Sequence, residues 1–231
     1  MLSENQVKEY NEKGFTILDY QLSESDLDEI KNLHANILKN HPEYRDYCPT
    51  LLKYDLNFLK YAKIPEILNC VKQLIGPNLA IWNQSFFAKP GINGKATPWH
   101  QDGQYWPIRP LATCSVWLAV DDSNEENGCL KYMPGSHKRG DLKKHKTDNS
   151  ENYTLNQEID ASEYDEQKAF QLRLKAGQMA LHDVYIVHGS GFNTSPHSRR
   201  GMTMRYMPTS SVFDRKLAAE QDKVFRLDHV N

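Results

Sequence analysis

Hydrophobic positions change their period about one third of the way along the chain. Ser3 followed by Gln6 has the spacing of a helix-capping pair, and the polar-rich stretch behind it runs to Gly14, a residue suited to ending a helix. Residues 15–18 then alternate like a strand. A second capped segment begins near Ser23 or Ser25, with Leu27, Ile30, Leu33 (or His34), Ile37 and Leu38 at helical spacing, which predicts an amphipathic helix. A third helix is predicted over 64–75, entered through Pro65 and stopped by Gly76-Pro77.

From Leu79 onward the segments are short, rich in aromatic and β-branched residues, and separated by turn dipeptides such as Pro90-Gly91, Asn127-Gly128 and Pro134-Gly135. Residues 113–120 read as a long strand, and Phe170, Leu172 and Leu174 alternate with Gln171, Arg173 and Lys175. Further strands are predicted at 178–181, 184–187 and 202–207. Helices followed by many short strands indicate an α+β chain: a jelly roll of two antiparallel sheets with the N-terminal helices on one face. We read 1–231 as one domain, mainly helical over 1–78, with the jelly-roll core at 79–210. Residues 142–167 are polar, acidic and poor in apolar side chains, the composition of a mobile lid. The nearby Lys138, Arg139, Lys143, Lys144 and Lys146 read as solvated surface.

Composition narrows the partners. A chain of 231 residues with 39% hydrophobic and 25% charged residues has enough material for a full core, while a mean hydropathy of −0.71 marks polar loops. With 28 basic and 30 acidic residues the net charge is −2, so neither nucleic acid nor an anionic membrane is expected as partner. A small molecule is. The first residues lack the basic and apolar regions of a signal peptide and no apolar run would span a bilayer, so the expected location is the cytoplasm. Cys48, Cys70, Cys114 and Cys129 form no CxxC pair and read as buried free thiols.

The chemistry concentrates in Trp99-His100-Gln101-Asp102. On a strand, residues two apart share a face, so His100 and Asp102 can present both groups to one metal. By itself an HxD pair is a weak signal. It gains weight from Val184-Tyr185-Ile186-Val187-His188-Gly189-Ser190-Gly191, where four apolar or aromatic residues lead into a second histidine. If that strand returns beside the first, His100, Asp102 and His188 form the two-histidine, one-carboxylate facial triad of non-haem iron(II) oxygenases, with coordination positions left open. Arg199, 11 residues past His188, is the candidate to grip the far carboxylate of a 2-oxoglutarate cosubstrate through its planar fork. Arg200 and Arg205 compete with it, although Arg200 should face the other way in an extended segment.

These residues resemble the phytanoyl-CoA dioxygenase family of iron and 2-oxoglutarate oxygenases. The resemblance rests on His100-Gln101-Asp102, Tyr105-Trp106-Pro107-Ile108-Arg109-Pro110, Asn127-Gly128-Cys129-Leu130, Pro134-Gly135-Ser136-His137, and His188-Gly189-Ser190-Gly191 leading to Arg199, in order over 84–207. It implies that His100, Asp102 and His188 bind iron(II), that Arg199 pairs with 2-oxoglutarate, and that O2 is the second cosubstrate. Trp117, Ser190 and Lys89 resemble further cosubstrate-pocket positions. Gln84, Trp99, Tyr105, Trp106 and Arg109 resemble residues lining the substrate cavity, although the same types also serve as packing aromatics and solvated bases. Within the resemblance the carboxylate of Asp102 favours hydroxylation over halogenation, and His137 is structural. By their own spacing, His182-Asp183 read as a turn, and His145 and His197 as exposed.

Two other readings stay open on the residues alone. The triad could hold zinc in a hydrolase or isomerase, although no HExxH accompanies it. Alternatively, the jelly roll could be a non-catalytic module that binds a small molecule.

Overall fold

The computed structural model describes residues 1–224. Helix α1 (Glu4–Lys13) starts with the expected reciprocal cap, in which the Ser3 hydroxyl accepts from the Gln6 backbone and the Gln6 side chain accepts from that of Ser3. It stops at Gly14, whose φ of 89° lies in the left-handed region open to glycine. Strand β1 (Phe15–Ile17) follows, then α2 (Glu24–Asn40), capped by Ser23 and burying Leu27, Ile30, Leu33, His34 and Ile37 along one face. A two-residue strand β2 (Tyr47–Cys48) and the single turns α3 (Leu51–Tyr54) and α4 (Leu59–Ala62) had no periodic signature. Helix α5 (Pro65–Ile75) runs between its Pro65 entry and Gly76, as the sequence predicts.

The β region comprises β3 (Leu79–Lys89), β4 (Thr97–His100), β5 (Ile108–Arg109), β6 (Cys114–Ala119), β7 (Leu130–Tyr132), β8 (His145–Thr147), β9 (Gln157–Ile159), β10 (Phe170–Leu172), β11 (Met179–Asp183), β12 (His188–Ser190), β13 (Arg199–Pro208) and β14 (Val212–Phe213), followed by helix α6 (Arg215–Gln221). A six-stranded sheet has the order β1-β11-β6-β13-β3-β2 and a four-stranded sheet the order β10-β7-β12-β4, with antiparallel pairing in both. Strand alternation divides the core. Val116, Leu118, Met179, Leu181, Met202, Met204 and Phe86 point outward and pack with the helices. Trp117, Ala119 and Ala180 point inward against Leu130, Tyr132 and Leu172 of the smaller sheet. Because both faces are covered, β6 is buried at every position, which explains its continuous apolar run.

Two predicted segments need correction. Residues 184–187 are not a strand: the Asp183 carboxylate accepts from the Tyr185 N–H and closes a turn, and the apolar residues are buried where the chain crosses from the larger sheet to the smaller. Conversely, His182 and Asp183 belong to β11. The stretch 142–167 contains the β8–β9 hairpin and two short 3-10 turns, anchored by buried Leu155 and Ile159. Strands of three residues are too short to reveal a period in polar sequence. No described helix is long and apolar enough to cross a membrane.

Candidate active site

The end of β4 brings His100 beside β12, where it is the register partner of His188. Asp102 follows in a 3-10 turn, so its carboxylate lies between the two rings, with Oδ1 at 3.7 Å from Nε2 of each histidine. All three side chains are buried, and their ligating atoms lie within 4.8 Å of one another, a spacing that fits one metal ion. Both histidines turn Nδ1 toward a backbone carbonyl two residues back, that of Pro98 at 2.8 Å and that of Ile186 at 3.0 Å. Donation from Nδ1 leaves the Nε2 lone pairs facing the centre, the tautomer a divalent ion requires. Burial, then the neighbouring His100, pushes His188 well below its ordinary value, so its ring stays free to coordinate.

Asp102 is supported from the larger sheet. Its Oδ2 accepts from Ser115 Oγ at 3.0 Å and makes longer contacts to His182 Nε2 and Arg205 Nε, both at 3.4 Å. Burial alone would raise this carboxyl, but the Arg205 charge and the neighbouring His100 and His182 imidazoles outweigh it and hold Asp102 well below the usual carboxylate range. Arg205 also donates through Nη1 to Asn83, Ser85 and Thr203, and lies 5.3 Å from the Trp106 ring centroid. His182, read from sequence as part of a turn, is therefore buried beside a candidate ligand. Tyr132 meets its Nδ1 at 2.9 Å.

His100, His188, Trp117, Thr203, Arg205 and Arg199 line one cavity between the sheets. At its other end Arg199 is 1% exposed, yet forms no ion pair among the described residues. Its Nη2 donates to the Gly128 carbonyl at 2.9 Å, and its Nε has no hydrogen-bond partner among the described residues. Burial pushes this guanidinium down to about 10. Lys89, its register partner, is equally buried and donates to the Lys95 carbonyl; burial, then the Arg199 charge, drives its ammonium well below the ordinary value. An enclosed guanidinium with an orphaned N–H, beside the buried Lys89 amine, fits the distal carboxylate of a dicarboxylate such as 2-oxoglutarate, since uncompensated charge is costly in a dry interior. Arg200 points the other way and pairs with Asp121 at 2.7 Å. Trp117 lies beneath Arg199, 5.4 Å from ring centroid to guanidinium carbon. Gly201 makes that possible, because a Cβ there would stand 2.4 Å from the indole.

The remaining residues expected at the site divide. Ser190 is paired with Thr97 and Leu130, both of which line the cavity. Tyr105 stands edge-on to His100, with ring centroids 5.9 Å apart, and its hydroxyl donates to the Gln157 carbonyl. Three positions are corrected. Gln84 faces the helices and donates to the Phe58 carbonyl, because it alternates with the inward-facing Ser85. Trp99 lies on the opposite face of β4 from His100 and packs on Tyr164, centroids 4.9 Å apart. Arg109 is exposed and folds back onto the carbonyls of Trp106 and Ile108. His145, expected in solvent, is half-buried and accepts the Gln101 N–H at 3.2 Å.

The sequence model of the phytanoyl-CoA dioxygenase (PhyH) family matches residues 2–201. The peroxisomal phytanoyl-CoA dioxygenase of Homo sapiens is 28% identical over 233 aligned residues, covering 89% of this chain and 68% of that protein. EvdO2 from Micromonospora carbonacea var. aurantiaca, solved with 2-oxoglutarate, has a TM-score of 0.77 at 21% identity, over 92% of this chain and 93% of its own. The epimerase SnoN, solved with Fe3+, alpha ketoglutarate and nogalamycin RO, has a TM-score of 0.78 at 20% identity, over 99% and 91%. At such identities the two structures establish the shared jelly-roll fold.

Proposed function

The chain belongs to the phytanoyl-CoA dioxygenase family, and from that premise we propose that it hydroxylates a small-molecule metabolite, with iron(II) held by His100, Asp102 and His188 and 2-oxoglutarate anchored by Arg199. It is a non-haem iron and 2-oxoglutarate-dependent oxygenase. The observation that carries the assignment of roles is the pairing, in one cavity, of a buried two-histidine, one-carboxylate cluster with a buried guanidinium that has no ion-pair partner among the described residues.

When bound, iron(II) with 2-oxoglutarate and O2 supplies oxygen transfer to a C–H bond coupled to decarboxylation of the cosubstrate to succinate and CO2. The chain's own part is orientation. The Pro98 and Ile186 carbonyls fix the two imidazoles, and Ser115 turns Asp102 so that Oδ1 faces them. Arg199, held against Trp117, would grip the cosubstrate's far carboxylate in the same cavity that His100 and His188 line. Tyr105, Trp106 and the β8–β9 hairpin exclude water on the HxD side, which strengthens every charge interaction within.

Anaerobic titration tests the assignment. Added iron(II) followed by 2-oxoglutarate should produce a visible charge-transfer band, and adding O2 with a panel of small metabolites should release succinate faster with the true substrate than without it. Absence of the band would return the site to the zinc or non-catalytic readings.

A further inference from the structure

Three strands of the larger sheet place His182, Ser115 and Arg205 in one lateral row: Ser115 is the register partner of His182 on one side and of Arg205 on the other. All three aim at the same atom, Asp102 Oδ2. Oδ1 receives none of these contacts and faces Nε2 of His100 and His188. The two oxygens of one carboxylate are thereby given different surroundings. Ser115 and Arg205 are donors by nature, whereas an imidazole nitrogen donates only if it carries the proton.

For His182 the Asp102 carboxylate on one side and Tyr132 on the other bear on that. Tyr132 is fully buried on β7, is the register partner of His188, and stacks on Phe15 with ring centroids 4.6 Å apart. Its hydroxyl meets His182 Nδ1 at 2.9 Å. An ionised carboxylate oxygen cannot donate, so Nε2 facing Asp102 carries the proton; in a neutral ring Nδ1 then offers a lone pair, and the Tyr132 O–H donates to it. The chain Tyr132 to His182 to Asp102 crosses from the sheet that carries His188 to the sheet that supports the carboxylate. An apolar side chain would fill the same space without burying a hydroxyl and an imidazole, so the polar pair implies a task for its hydrogen bonds.

We propose that Tyr132 and His182 are positioning residues for the metal-binding carboxylate, holding Asp102 Oδ2 in place so that Oδ1 alone is presented. The inference rests on the reading of His100, Asp102 and His188 as metal ligands. A carboxylate released at Oδ2 can swing to grip an ion with both oxygens and fill a position that 2-oxoglutarate needs. The pair therefore bears on coordination number as well as on affinity.

The test uses the full chain and Co(II), whose visible spectrum reports coordination number. His182→Leu should weaken Co(II) binding about 10–100-fold and change the spectrum; it should also reduce 2-oxoglutarate binding to the Co(II) protein. Tyr132→Phe, which removes one oxygen atom, should shift both in the same direction by less. His182→Gln keeps an N–H donor near the Nε2 position and should recover most of the loss. The inference is overturned if folded His182→Leu and Tyr132→Phe, checked by circular dichroism, match the parent's affinity and spectrum, or if Gln recovers no more than Leu. Should His182→Leu fail to fold, the Tyr132→Phe comparison decides alone. A parent that takes up no Co(II) overturns the reading of the triad and this inference with it; a parent that binds while the variants match it overturns the inference only.

Discussion

His188 and His100 are register partners on neighbouring antiparallel strands, with ring centroids 4.2 Å apart. Pairing at that register, rather than proximity in sequence, makes the candidate metal centre, because a slip by one residue would turn one ring to the outer face. Either histidine replaced by alanine should abolish succinate formation and lower metal uptake to the level of non-specific binding, with the fold retained by circular dichroism. Undiminished turnover in either variant would remove that residue from the centre.

Arg199 makes a separable prediction. Among the described residues its Nη2 donates to the Gly128 carbonyl and its Nε has no partner, which leaves most of the guanidinium's capacity for a ligand. In Arg199→Gln the metal should bind as in the parent, while the KM for 2-oxoglutarate rises at least about thirtyfold, or ~2 kcal/mol, the lower end of what a buried charge pair loses on truncation. Metal affinity and cosubstrate KM measured side by side check this. An unchanged KM would transfer the role to Lys89 or Arg205.

Gly201 sits opposite Trp117's strand neighbourhood in the centre of the larger sheet, where neither backbone can retreat. Adding one methyl in Gly201→Ala would force it against the indole and disturb the surface under Arg199. Stability should fall by about 1–3 kcal/mol, as for other overpacked sites, and 2-oxoglutarate affinity should fall with it while metal affinity holds. A melting curve and a cosubstrate titration suffice; parent-like values in both would show that Trp117 has room to move.

What the sequence disclosed and what it concealed follow from the same physics. Capped helices and the HxD pair are local patterns, so α1, α2, α5 and the spacing of His100 and Asp102 were legible from neighbouring residues. His182 was not, because its role depends on a register with Ser115 that forms only once β11 and β6 pair. Alternation with Ala180, which faces the inner core, was the one available clue. Gln84 was misplaced by the same parity, one residue from the inward-facing Ser85. The apolar run 184–187 imitated a strand because a corner between two sheets is as buried as a strand in either.

Stability should depend on pH through buried neutral histidines. Burial, aided by the Arg200 charge, pushes His34 down to about 4, and its ring stacks on Phe86 with centroids 4.0 Å apart. In the unfolded chain an imidazole titrates near ~6.5, so between these values the unfolded state binds more protons. The contribution is complete above the unfolded value and is lost as pH falls through the window toward the folded one, up to about 3 kcal/mol for this residue. Urea denaturation from pH 4 to 7 should show stability rising with pH, and His34→Leu should flatten that slope. An equal slope in the variant would assign the dependence to other groups.

Gln101, between the two ligands of the HxD turn, fastens the segment 142–167 to the centre. Its side chain accepts the Lys143 N–H at 2.7 Å and donates to the carbonyls of Asp141 and Tyr185, while its own N–H goes to His145. Tyr105 adds a bond to Gln157 from the same turn. We propose that a ligand steadying His100 and Asp102 also steadies the β8–β9 hairpin through Gln101, as the lid expected from the composition of 142–167 requires. Hydrogen exchange over 142–167 should slow about tenfold, or ~1.4 kcal/mol of local opening, when Co(II) and 2-oxoglutarate are added. In Gln101→Ala the ligands should still bind, but the slowing should shrink. Equal exchange with and without ligands would show that the hairpin is a fixed wall of the site.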